Sequence, residues 1–193
     1  MDRDSFVKYS LGIDVSGDSL ECKLVAIGND QGIKALAGHS FDNRPTKFEA
    51  LHKWLLKQLK YADIPLYVVM EATGVYYEAI AQYLYDQGYA VCVVLPNKAK
   101  RYMQALGLKS KTDRIDAAGL ARMGAEQRLS TWEPMSAEFA ELRTLTRHLR
   151  RLQEFKTDVR NQLEAHHRMI HPCQVVIGQQ EQMMKWIGEQ IRE

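Results

Sequence analysis

The sequence predicts an α/β fold: a mixed sheet, made of an antiparallel meander plus parallel strands and flanked by helices, followed by an α-helical coiled-coil arm. Three observations predict it. Alternating apolar runs broken by short turns lie between Tyr9 and Phe41, two continuous apolar runs bracket a helical segment between Leu66 and Leu95, and leucines recur in steps of three and four from Leu142 onward.

The first runs break at Ser16-Gly17-Asp18 and at Gly28-Asn29-Asp30. Leu20, Cys22, Leu24 and Ala26 share one face of the second run, and Ile33, Ala35 and Ala37 repeat the pattern in the third. Turns this short join antiparallel neighbours. Thr46 and Glu49 then stand at capping-box spacing before a stripe of Phe48, Leu51, Leu55 and Leu59, which predicts a helix over 47–60 packed on the sheet.

Pro65 introduces Leu66-Tyr67-Val68-Val69-Met70, an apolar run without alternation, as in a strand buried on both faces. Residues 75–87 read as a helix ending at Gly88, and Ala90-Val91-Cys92-Val93-Val94-Leu95 forms a second such run, stopped by Pro96. Strand, helix and strand make a βαβ unit, whose crossover is right-handed almost without exception. Further helices are expected over 97–106 and, after Thr112 as N-cap, over 113–126.

Pro134 opens the longest pattern. Leu142, Leu145, Leu149, Leu152, Val159, Leu163 and Ile170, with Lys156 and His166 at the two intervening positions, form a heptad seam suited to a helical hairpin arm or coiled coil. Pro172 ends it, and the apolar segment 173–193 is too short to bury its own surface.

Composition narrows the function classes. With 193 residues, 46% hydrophobic and 26% charged, the chain can bury a core, and it is neither disordered nor a large multidomain machine. Cys22, Cys92 and Cys173 are widely separated and form no CxxC pair, against a disulfide framework or a zinc site and in keeping with a reducing cytoplasm. No run resembles a signal peptide or a membrane span. The net charge of +2 conceals an uneven distribution: residues 1–97 net −3, 98–151 net +6 and 152–193 net −1. The middle segment is the candidate for a polyanion, with a solvated helical surface as the plain alternative.

Four acidic residues stand out by position. Asp14 ends the first strand and Glu71 the fourth; ligands gather outside the carboxyl ends of parallel strands, so if those two strands are parallel neighbours the carboxylates sit side by side. Asp113 and Asp116, spaced i and i+3, share one face of a helix. Four gathered carboxylates repel unless cations neutralise them, and all-oxygen sites select hard ions such as Mg²⁺ or Mn²⁺. Two such ions about 4 Å apart serve displacement at a phosphodiester. Turn formation by Asp14 and dipole complementation by the helical pair are the ordinary alternatives.

The segments Gly12-Ile13-Asp14-Val15-Ser16, Glu71-Ala72-Thr73-Gly74, and Ala105-Leu106-Gly107 through Lys111-Thr112-Asp113-Arg114-Ile115-Asp116-Ala117, followed by Leu120-Ala121-Arg122, closely resemble the N-terminal half of the DEDD transposases of insertion-sequence family 110, relatives of the Piv-type DNA invertases. The resemblance covers roughly residues 10–170. It implies a RuvC-like, ribonuclease-H-type fold in which Asp14, Glu71, Asp113 and Asp116 form a metal-binding catalytic tetrad for DNA strand cleavage and exchange. It also implies DNA partners, the element ends and the target, and a structured noncoding bridge RNA. The corresponding division is a RuvC-like DEDD catalytic domain over 1–130, a coiled-coil arm over 131–172 that carries a homo-oligomer contact, and over 173–193 the start of a C-terminal transposase domain. The resemblance further implies that this domain continues beyond Glu193 and carries a catalytic serine there. Many relatives have a basic residue where this chain has Gly17.

Lys98, Lys100, Arg101, Lys109, Lys111, Arg114 and Arg122 flank the expected site and are candidates for phosphate contacts. His166 and His167 are adjacent, hence differently directed on a helix, and read as core and surface residues rather than ligands. Tyr76, Tyr77, Tyr83, Tyr85 and Tyr89 are candidates for base stacking, with packing on the sheet the expectation for most. Competing readings are a stand-alone RuvC-like junction nuclease using water, a sugar-kinase-type phosphotransferase suggested by the first motif, and a noncatalytic RNA- or DNA-binding and dimerisation fragment. The transposase reading places the chain in a bacterial or archaeal cytoplasm, associated with the nucleoid and not with membrane.

Overall fold

A computed structural model describes residues 6–107 and 112–192. They divide into two compact units, the first ending at Pro134 and the second beginning at Met135. The first unit is built on a five-stranded sheet: β1 (Phe6–Val15), β2 (Ser19–Gly28), β3 (Ile33–Asp42), β4 (Leu66–Glu71) and β5 (Ala90–Val94), in the order β3-β2-β1-β4-β5. The meander β1-β2-β3 is antiparallel, while β4 joins β1 and β5 joins β4 in parallel. That is the ribonuclease-H-type mixed sheet, with the first strand at its centre.

Side-chain alternation assigns each face of β1 to different helices. Tyr9, Leu11 and Ile13 join Leu20, Cys22, Leu24, Val68 and Met70 in the main core. There they meet Phe48, Leu51 and Leu55 of α1 (Pro45–Gln58) and Ile80, Ala81 and Leu84 of α2 (Glu78–Asp86). Burying an apolar side chain of this size contributes about 1.5–3 kcal/mol, so this layer dominates the unit's stability. Val69, Cys92 and Val94 face the other way, onto Ala99 of α3 (Pro96–Ala105) and Leu120 and Met123 of α4 (Asp113–Glu126). Beyond α4 the chain returns along β5, where Trp132 N–H donates to the Val91 carbonyl (2.7 Å) and so covers the open edge of the sheet.

Two local expectations are corrected. The first helix starts at Pro45, not after a Thr46 cap; Arg44 is its N-cap and makes no side-chain cap bond. Proline at the first helical position needs no N–H partner and its φ is preset, which outweighs the capping box. Glu49 pairs instead with Lys53 at 2.7 Å. Helix α2 begins three residues later than expected, at Glu78, because Gly74 turns the chain with φ 57° and Thr73–Tyr77 forms turns. Thr112 caps α4 as expected, its hydroxyl accepting from Ile115 N–H (3.4 Å).

The second unit contains α5 (Ala137–His167) and α6 (Gln174–Gln190). Helix α6 packs back along α5 and buries Ile177 and Ile187, so the apolar segment after Pro172 covers part of the heptad seam. Val159 is buried, His166 Nδ1 meets Gln180 Oε1 at 2.8 Å, and Gln180 Nε2 donates to Gln162 at 3.3 Å. The N-terminal half of the seam, with Leu142, Leu145 and Leu149, stays exposed. Among the described residues no helix is long and apolar enough to cross a membrane.

One contact governs the sheet's second face. A Cβ added at Gly12 would run into the Ala117 carbonyl and the Ala121 nitrogen, so α4 lies backbone to backbone on β1. Gly12→Ala is therefore expected to lower the unfolding free energy by about 3 kcal/mol through overpacking. Gly178→Ala, where an added methyl meets nothing within 4 Å, should be neutral or stabilising by up to about 1 kcal/mol. Urea denaturation followed by circular dichroism checks both; an unchanged midpoint for Gly12→Ala contradicts the close packing.

Candidate active site

Asp14 and Glu71 stand at the same end of adjacent parallel strands. The β1–β4 register pairs Gly12 with Val69 and Ile13 with Met70, so the next step along each strand is a carboxylate. Alternation puts Asp14 on the face of Gly12, and Glu71 on the face of Val69, which is the α4 side of the sheet. Helix α4 begins at Asp113, and its first turn carries Asp113 and Asp116. Because Gly12 admits the helix so closely, that turn lies over the end of β1.

The electrostatics record the convergence. Burial first, then the charges of Asp116, Asp113 and Glu71, push the carboxyl of half-buried Asp14 up to about 6. All four sequence-predicted acids thus share one field. Among the described residues, no three His, Cys, Asp or Glu side chains are gathered as closely as a metal ion holds its ligands. The donor set is nevertheless entirely carboxylate oxygen, the chemistry that suits a hard divalent cation and relieves the repulsion recorded at Asp14.

A fifth carboxylate was not singled out in the sequence. Glu21 is the cross-strand partner of Asp14 and is held by Arg114 Nε at 3.4 Å. Its only sequence signal is its place opposite the apolar phase of β2. Glu21, Lys23, His39, Ser40 and Arg114 line an open cleft beside the acids.

The predicted basic residues divide into three groups. Lys98, Lys100 and Arg101 are exposed on α3. Arg114 and Arg122 are already engaged, Arg114 by Glu21 and Arg122 by Glu126 at 2.7 Å; Glu126 also accepts from the Tyr102 hydroxyl at 2.5 Å. Lys109 and Lys111 lie outside the described residues. The cysteines are free thiols, Cys22 and Cys92 buried and Cys173 exposed. Among the tyrosines, Tyr77, Tyr83 and Tyr89 pack against the main core.

The loops beyond the two acid-bearing strands are joined by a residue that sequence reasoning passed over. Asn43 Nδ2 donates to the Ser16 carbonyl at 2.8 Å and to the Tyr76 carbonyl at 3.0 Å. Asn43 N–H also donates to the Asp18 carbonyl at 2.9 Å. No local pattern around Asn43 signals this, since its partners come from two distant loops.

Residues 11–172 match the model of a family described as a transposase, the DEDD type of insertion-sequence family 110. The pilin gene-inverting proteins of Moraxella bovis and Moraxella lacunata are each 29% identical over 154 residues, 78% of this chain and 46% of theirs. The chain therefore spans about half the length of the curated relatives it matches. Among solved structures, Thermus thermophilus RuvC is similar with a TM-score of 0.46 and 18% identity, over 64% of this chain and 99% of that one.

The raised Asp14 value has a definite sign. An acid with a folded value near 6 and an ordinary value of 3.8 destabilises the fold when ionised; the penalty grows as pH rises from 3.8 through 6 and is constant above. In the presence of a chelator, Asp14→Asn should melt above wild type at pH 8, with the difference vanishing as pH falls toward 4. Thermal melts across that range check this, and a wild-type protein that is the more stable at pH 8 contradicts it.

Proposed function

Because this chain belongs to the DEDD transposase family of insertion-sequence family 110, we propose that its first unit is the catalytic domain of a DNA transposase or recombinase. Asp14, Glu71, Asp113 and Asp116 are its metal-binding catalytic residues. The observation that carries the reading is the charge coupling of Asp14 to the three other acids, which come from β4 and α4. A bound divalent cation, Mg²⁺ or Mn²⁺, supplies charge neutralisation and Lewis acidity at a scissile phosphodiester. The rigid sheet holds Asp14 and Glu71 in place, and α4 brings Asp113 and Asp116 from the other side. Lys98, Lys100 and Arg101 attract the phosphate backbone, a role open also to Lys109 and Lys111. In this proposal strand exchange draws its serine nucleophile from a C-terminal transposase domain, and a noncoding bridge RNA selects the DNA sites; the family match supports this reading.

In the same reading the division remains a RuvC-like domain over 1–130, an arm over 131–172 and the opening of the serine-bearing domain over 173–193. The arm supports a homo-oligomer, since Leu142 and Leu145 remain 58% and 59% exposed on one stripe of α5.

Two outcomes are expected. Calorimetric titration of Mn²⁺ should show binding to wild type and its loss in Asp14→Asn; equal binding by both overturns the metal assignment. Cleavage of branched DNA by this chain alone would identify a self-sufficient junction nuclease instead. Leu145→Glu with Leu149→Glu should shift the chain to monomer in sedimentation velocity, and an unaltered oligomer with both changes removes the arm from the contact.

A further inference from the structure

The loop between β4 and α2 holds two large side chains in solvent beside the carboxylate edge: Val75 is 66% exposed and Tyr76 52% exposed. Exposure of an aromatic ring forgoes the ring contacts that other tyrosines of the unit make. Tyr83, Tyr85 and Tyr89 each engage another ring, of Phe48, Trp132 and His52 respectively. Tyr76 is instead seated between two glycines. A Cβ added at Gly17 would lie 3.5 Å from its Cε1, and one added at Gly74 would lie 3.8 Å from its Cδ2. Gly17 follows Asp14 by three residues, and Gly74 follows Glu71 by three. The ring therefore spans the loops that leave both acid-bearing strands, and Asn43 ties those loops together through the Ser16 and Tyr76 carbonyls.

We propose that Tyr76 is a stacking platform for an unpaired base of the DNA strand whose phosphate lies at the carboxylate edge, with Asn43 as the positioning residue that holds it. The inference rests on the function proposed above and adds a substrate contact to it. An aromatic face stacks on any base, so it grips the strand without reading its sequence. Gly17 and Gly74 present no side chain against the ring and leave the approach beside it open. Val75 adds apolar surface next to it. A strand held at one phosphate by charge and at a neighbouring base by stacking is fixed in position and direction, which a field of carboxylates and lysines cannot do alone.

The test uses the full chain, a fluorescently labelled oligothymidylate and anisotropy in a chelator. Tyr76→Ala should weaken binding about tenfold, the range of one lost stacked base, and Tyr76→Phe should stay within about twofold of wild type. Tyr76→Leu keeps apolar volume without a π face and should bind as weakly as Tyr76→Ala. Tyr85→Ala should bind as wild type. Asn43→Asp keeps the shape but turns a donor into an acceptor facing two carbonyls, and should weaken the oligonucleotide while leaving the melting temperature within a few degrees of wild type. Calorimetry with Mn²⁺ should give the same affinity for Tyr76→Ala as for wild type. Wild-type oligonucleotide affinity in Tyr76→Ala or Tyr76→Leu overturns the stacking role alone. Tighter, Tyr76-dependent binding of oligouridylate overturns the DNA assignment in favour of RNA. Failure of the wild-type chain to bind Mn²⁺ overturns the proposed function itself.

Discussion

The direct seating of α4 on β1 is the constraint on which the rest of the first unit depends. Gly12 lets the helix backbone approach the strand, and Gly124, against Ser10 and Val69, does the same one layer further along. A side chain at either position would lift the helix away and take Asp113 and Asp116 from the end of β1. The dense packing of Leu120, Ala121, Met123 and Ala125 on the same face then holds the helix in this register. Small residues at the crossing are thus what brings the first turn of α4, with Asp113 and Asp116, toward the two acidic strand tips.

Convergence has an electrostatic consequence that the surroundings only partly relieve. Asp14 is half-buried among three other acids, so its ionised form is disfavoured. Among the described residues, two arginines of α4 are directed to other acids: Arg114 answers Glu21, and Arg122 answers Glu126, which also holds Tyr102. These pairs are solvent-exposed in large part and add little stability. Their effect is to keep these two arginines on defined carboxylates, Glu21 and Glu126. Carboxylates that share one field in this way are oxygen donors of the kind a hard cation takes.

The second unit solves a different problem. A helix with a long apolar seam needs a partner, and α6 supplies one for the C-terminal half through Ile177 and Ile187. Polar groups along that half are accommodated by pairing: His166 meets Gln180, and Gln180 meets Gln162. Such pairs favour one alignment of the helices, because a shift leaves buried amides unsatisfied. The N-terminal half has no such cover from α6 and presents its leucines outward.

Element types and the positions of the acids were legible in the sequence because both are local properties. Period-two alternation marks β2, unbroken apolar runs mark β4 and β5, Thr112 marks the start of α4, and strand tips mark Asp14 and Glu71. Competing local signals were harder: Pro45 overrode the Thr46–Glu49 box, and Gly74 delayed α2. What only the tertiary structure decided is what depends on neighbours distant in sequence. Which helix meets which face of β1, the Glu21–Arg114 pair, the Asn43 bridge between two loops, the exposed seat of Tyr76 and the folding of α6 onto α5 all arise from contacts between separate elements. Periodicity states which face of a segment is apolar, but not what will cover it; that choice is made by the close approach the glycines permit and by the pairing each buried polar group requires.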